Sequence, residues 1–75
     1  MKCSELQVGK KAKIKKIDLD EKKQMKLFHL GVIPGEDIIC KFKSPFHTPI
    51  AYQIKGCVFA IREEDAALIE VEHEK

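Results

Sequence analysis

Apolar and polar positions alternate most cleanly near the start of the chain. In residues 10–17 (KKAKIKKI), Ala12 and Ile14 are separated by Lys11, Lys13 and Lys15. A period of two predicts a strand with one apolar and one wet face. Ile17 falls out of phase, which predicts a bulge or a strand end near Lys15 and Lys16. Upstream, Leu6 and Val8 are expected to anchor inward before a turn at Gly9. The segment DLDEKKQMKLFHLG then changes period. Asp18 and Asp20 are both placed to accept hydrogen bonds from a helix start, and Asp18 with Glu21 has the spacing of a capping box. Residues 21–30 hold only good or tolerable helix formers. Gly31 fits the left-handed position that closes a helix. A helix of about ten residues is marginal alone, so the apolar patch of Leu27, Phe28 and Leu30 is expected to rest on something.

Four further strands and a helical turn follow. GEDIICKFK predicts a strand with Ile38, Cys40 and Phe42 on one face and Ile39, Lys41 and Lys43 on the other. After the loop 44–49 (SPFHTP), residues 50–56 place Ile50, Tyr52 and Ile54 together, and Gly56 permits a tight turn. Residues 57–61 (CVFAI) are an almost wholly apolar strand, and residues 63–68 form one helical turn. Residues 69–72 alternate again as a last strand, and residues 73–75 are expected to fray. Between the helix and the second strand, Pro34-Gly35 suits the central positions of a type II turn. The count is five short strands with one helix inserted between the first and second. That pattern predicts a mainly β fold, a small barrel or sandwich, and a closed barrel leaves no open edges.

The chain has 75 residues, which is one domain with a small core. It lacks Trp and has only five aromatic residues, so aliphatic side chains must supply most of the burial. Three cysteines, Cys3, Cys40 and Cys57, are an odd and widely spaced set, unlike a secreted disulfide scaffold. The first residues lack the apolar run of a signal peptide or lipoprotein leader, and no window is long and apolar enough to span a bilayer. These features predict a reduced, cytoplasmic protein. The net charge of +2 is unevenly spread: residues 1–26 carry +5, residues 27–59 +1, and residues 60–75 −4. The basic segment suits an acidic partner or an anionic surface, or else it is the solvated face of a strand and a helix.

No catalytic constellation is present. The glycines at 9, 31, 35 and 56 form no phosphate loop. Cys40 and Cys57 lie in apolar strands and are expected to be buried, whereas Cys3 is expected to be the more exposed thiol. Of the metal-ligand types Cys3, His29, Cys40, His47, Cys57 and His73, no two fall closer than seven residues apart, unlike the paired ligands of zinc sites. No intrinsic metal or cofactor is expected. An adventitious surface site at His29 or His47 is the alternative, although a His near a helix C-terminus is explained by the dipole. Nucleic-acid binding is not expected: Arg62 is the only arginine, and no aromatic residue lies among the N-terminal lysines.

The order Leu6-x-Val8-Gly9, Leu27-x-x-Leu30-Gly31-Val32-x-Pro34-Gly35, Pro49-Ile50, Gly56, Arg62, Ala66 and Ile69-x-Val71 resembles the FeoA family, the ferrous iron transport protein A group. The resemblance covers about residues 4–72. It implies an SH3-like five-stranded barrel with a helical insertion, no enzyme activity, and an accessory role beside FeoB, the membrane transporter with a cytoplasmic GTP-binding domain. The same domain ends metal-dependent repressors, so a direct ferrous iron or zinc carrier or sensor is the rival reading. The family often has Arg just before the Leu of the junction helix. Here Lys22, Lys23 and Lys26 keep the charge without the planar fork.

On this reading the chain is a protein-interaction module, and two surfaces are candidates. One is the insertion helix with Lys22, Lys23, Lys26 and His29. The other is the long loop, where Phe46 and Tyr52, with Pro45 and Pro49, are of the type that line peptide grooves. A structural reading stands beside the second, with Tyr52 in the core and Phe46 anchoring its loop. Arg62 is the only candidate arginine finger, or else a structural residue at a strand end.

Overall fold

A computed structural model describes residues 1–46 and 49–73. The chain passes from a 3-10 turn (Cys3–Glu5) through β1 (Lys11–Ile17), α1 (Glu21–His29), β2 (Asp37–Lys43), β3 (Ile50–Ile54), β4 (Cys57–Ile61) and α2 (Glu63–Ala66) to β5 (Ile69–His73). The five strands form one antiparallel sheet in the order β4-β3-β2-β1-β5. This is the mainly β arrangement expected, with the helix between β1 and β2 and a helical turn before β5. Buried side chains from all five strands, from Ile61 of β4 to Ile69 and Val71 of β5, belong to one core cluster. A flat sheet cannot bring its two outermost strands to a shared core, so the sheet coils around its own apolar face. No β4–β5 pairing is present among the described residues, so the coil is not closed by hydrogen bonds.

Two bulges decide which residues face in. The β1–β5 register shifts between Ile14 and Lys16, which leaves Lys15 and Lys16 both exposed and turns Ile17 back toward the core. That is the interruption expected from the sequence. The second bulge lies between Cys40 and Phe42 in β2. It reverses the alternation after Cys40, so Phe42 is exposed instead of sharing the buried face of Ile38 and Cys40.

The junction after α1 is held by backbone hydrogen bonds. Val32 N donates to Leu27 O (2.9 Å) and Gly31 N to Phe28 O (3.0 Å), the paired bonds of a Schellman motif. Gly31 has φ +90°, the left-handed conformation this closure requires. Glu36 N donates to Ile33 O (3.2 Å) across Pro34-Gly35, and Gly35 has φ +95°, as a type II turn demands. Gly35 N also donates to Ile14 O (2.8 Å) and Ile14 N to Glu36 O (2.9 Å), so the turn is clamped to β1.

Several inward and outward assignments change. Val8 is exposed, while Leu6 is buried as expected. Cys3 is buried in the 3-10 turn, and Cys57 is exposed beside the β3–β4 turn, the reverse of the expectation for each. The first is captured by the fold's terminal segment lying against the core. The second sits at the end of an edge strand, where no element of the described residues covers it. His73 pairs with Ala12 inside β5 and so belongs to the strand. The fraying expected of residues 74 and 75 lies outside the described residues.

A candidate protein-docking site

The helix α1 is seated by its ends. Asp20, not Asp18, is the N-cap, and its Oδ1 accepts from Lys23 N (2.8 Å). Gln24 Nε2 donates to Ile17 O (2.9 Å) and Leu19 O (2.7 Å), tying the first turn to the end of β1. No residue of α1 is fully buried. Of the apolar patch, Leu27 alone packs partly against the core, whereas Phe28 is mostly exposed and Leu30 about half exposed. The expected apolar patch therefore exists but is mostly unpartnered.

Beside α1 lies a groove of about 360 Å³ whose walls include Leu19, Leu27 and Leu30 on one side and Phe59, Ala60 and Ile61 of β4 on the other. Lys23, Lys26, Arg62 and Asp65 form its charged rim. Lys23 Nζ lies 3.1 Å from Asp65 Oδ1, a bridge from α1 to α2. Arg62 Nη1 lies 3.7 Å from Glu64 Oε1, and both side chains are exposed. The lining residues thus sum to a net positive charge, with Lys23 engaged by Asp65 and Arg62 facing Glu64.

The structure brings the helix candidates Lys22, Lys23, Lys26 and His29 together on α1, all exposed. The His29 ring stands edge-on to Phe28, with centroids 6.3 Å apart. Phe46 is 86% exposed and lines a separate shallow depression with Glu63, Glu64 and Ala67. Tyr52 is 0% exposed, and its hydroxyl donates to Cys3 O (3.0 Å). Of the two roles open to Tyr52 the core one holds, because its inward face on β3 leaves it no surface to present. The loop and helix surfaces are therefore separate. The groove residues of β4 were missed because an apolar pentapeptide reads as buried; only its place at the end of the sheet exposes it.

Chemistry at the two buried thiols, Cys3 and Cys40, is suppressed. Burial pushes the Cys3 thiol up to about 11 from 9.0, and burial likewise raises Cys40 and the Tyr52 hydroxyl. A thiol held protonated is neither a nucleophile nor a ready metal ligand. Among the described residues, no three of His, Cys, Asp and Glu converge where they would hold a metal ion. The candidate His47 lies outside the described residues. No helix among them is long and apolar enough to cross a membrane.

Comparison with known proteins places this arrangement. The chain is 32% identical over 72 residues to a ferrous iron transport protein A/transporter FeoB fusion protein of Porphyromonas gingivalis (strain ATCC BAA-308 / W83), covering 96% of this chain and 8% of the relative. The solution structure of iron(II) transport protein A from Clostridium thermocellum is 36% identical, with a TM-score of 0.91 over 97% of this chain and 45% of that one. The chain thus spans less than half of both. The crystal structure of Stenotrophomonas maltophilia FeoA with zinc, described as a prokaryotic SH3 domain protein, is 28% identical, with a TM-score of 0.81 over 96% of this chain and 89% of that one. A model of the FeoA domain matches residues 1–73, and the chain belongs to that family.

Proposed function

We propose that this chain is a docking module of ferrous iron uptake, which binds the cytoplasmic, GTP-binding part of a FeoB-type transporter and modulates its activity. The observation that carries this reading is the Porphyromonas relative, in which a domain like this one is joined in a single chain to the transporter. Such a fusion makes an encounter intramolecular and raises the effective concentration to roughly millimolar for a short flexible linker. A separate chain must supply that encounter by its own surface. The exposed cations of α1 and the apolar groove beside them are suited to it. A module working on that part of the transporter acts in the cytoplasm. Titration of the folded chain against the transporter's purified cytoplasmic domain tests the reading. Saturable binding supports it, and no binding between two folded partners rejects it.

A second reading, direct carriage or sensing of ferrous iron or zinc, is favoured by the zinc present with the Stenotrophomonas relative. Calorimetric titration with each metal separates the two. A carrier shows stoichiometric uptake that is lost when His29, His47 or the cysteines are replaced.

A further inference from the structure

The outer edge of β4 lies at the groove beside α1, and its outward backbone groups have no strand partner among the described residues. The β3–β4 turn consists of Lys55 and Gly56 with φ 53° and 78°, both left-handed, the signature of a type I′ hairpin. In such a hairpin the residues flanking the turn, Ile54 and Cys57, are a hydrogen-bonded pair. Alternation then makes Tyr52·Phe59 and Ile50·Ile61 hydrogen-bonded pairs, and leaves Gln53·Val58 and Ala51·Ala60 as non-bonded pairs. The N–H and C=O groups of Val58 and Ala60 therefore point away from β3. β4 is the last strand of the order, so no strand among the described residues receives them. Three consecutive residues of β4, Phe59, Ala60 and Ile61, line the groove. That is the pattern of a strand edge, not of one strand face.

We propose that an extended, acidic segment of the partner enters this groove and adds a sixth strand to β4. Its occupant is defined by three features. The backbone edge requires an extended conformation. The walls Leu27, Leu30 and Phe59 take apolar side chains at alternate positions. The rim of Lys23, Lys26 and Arg62, net positive over the lining although Asp65 holds Lys23 and the exposed Glu64 faces Arg62, takes carboxylates at the positions between. β4 itself has no charge or proline to discourage pairing, unlike most exposed edges. The identification of the partner as the transporter rests on the function proposed above; the groove and its ligand chemistry do not.

Amide hydrogen exchange followed by NMR tests this directly. The probes are an acetylated peptide alternating glutamate with valine and leucine, its counterpart with lysine in place of glutamate, and the transporter's cytoplasmic domain. The acidic peptide and the domain should each slow exchange at Val58 and Ala60 by about tenfold or more, while the lysine peptide does not. Ala60→Pro removes one outward donor without breaking a bond to β3, and should abolish both effects with the amide spectrum otherwise folded. The double variant K26E/R62E changes two exposed side chains and should weaken both ligands by about tenfold even if the proline variant does not fold. If the domain binds Ala60→Pro and wild type equally and leaves these amides unprotected, the strand addition is wrong and the docking function stands. Protection by the acidic peptide without any binding of the domain upholds the groove and rejects the transporter as its ligand. Equal protection by the lysine peptide overturns the acidic assignment. Protection that appears on concentrating the chain alone, together with dimer formation, overturns the proposal in favour of a second copy.

Discussion

The two edges of this sheet are treated differently. β5 carries Glu70 and Glu72 on its wet face and buries Ile69 and Val71 beneath. Its edge is covered by the start of the chain: Val71 N donates to Met1 O (2.8 Å), the Met1 amino group donates to Val71 O (2.9 Å), and Lys2 bridges to Glu70. β4 has no charged residue, buries only Ile61 fully, and leaves Val58 61% exposed. The helix next to it contributes no fully buried side chain. An uncovered apolar edge risks aggregation unless something occupies it. In a chain this small, covering one edge and leaving the other bare reads as a division between a structural side and a binding side.

Matched truncations sharpen that contrast most. Val71→Ala should cost roughly 2–3 kcal/mol, because it empties space in the core. Val58→Ala, on the bare edge, should cost about 0.5 kcal/mol or less. Chemical denaturation reads both, and equal costs would break the distinction.

Alkaline pH probes the buried core, where Cys3, Cys40 and Tyr52 are all raised, and not the bare edge. The core accepts Cys3 only as the neutral thiol, so above pH 9 the unfolded chain releases a proton that the folded chain retains. Unfolding free energy should therefore fall as pH rises from 9 toward 11, by roughly 2 kcal/mol from Cys3, with Cys40 and Tyr52, raised by the same burial, adding to the fall. Cys3→Ala should reduce this slope, leaving the part due to Cys40 and Tyr52, and an unchanged slope would remove the Cys3 thiol as a cause.

Smaller effects are expected at the helix. Gly31→Ala forces a Cβ into the left-handed position and should cost about 1 kcal/mol. Its effect should be concentrated in faster amide exchange in α1, with β5 unchanged; uniform loss across the chain would mean that α1 is as tightly integrated as the sheet. Smallest of all, Asp65→Asn releases Lys23 and should cost about 0.2–1 kcal/mol. It should strengthen binding of an acidic ligand by exposing a further cation, and weakened binding would argue against an acidic occupant.

Much of the fold was legible because its signals are local. Lys-x-Lys alternation, the capping aspartates, Gly31 and Pro34-Gly35 each act within a few residues, and the structure places each element within a residue or two of its expected bounds. The bulge at Lys15 was legible for the same reason, since Ile17 visibly breaks the period. The bulge after Cys40 left no such trace: Ile38, Cys40 and Phe42 keep perfect alternation in sequence, and only pairing with Ala51 of β3 turns Phe42 outward. Of the candidate site, the cations of α1 could be read, but Tyr52 could not be assigned to core or surface, and Ala60 carried no signal.

The sequence alone determined where elements start and stop, because caps, turns and left-handed glycines are settled by the backbone and its nearest neighbours. Only the tertiary structure decided which apolar segments are core. CVFAI and IEVEH occupy the two ends of one sheet, and burial there depends on what lies alongside: Met1 and Lys2 for β5, nothing on the outer side of β4 among the described strands. The same placement buried Cys3, exposed Cys57, and set an unpaired backbone edge beside three cations, none of which any local pattern could specify.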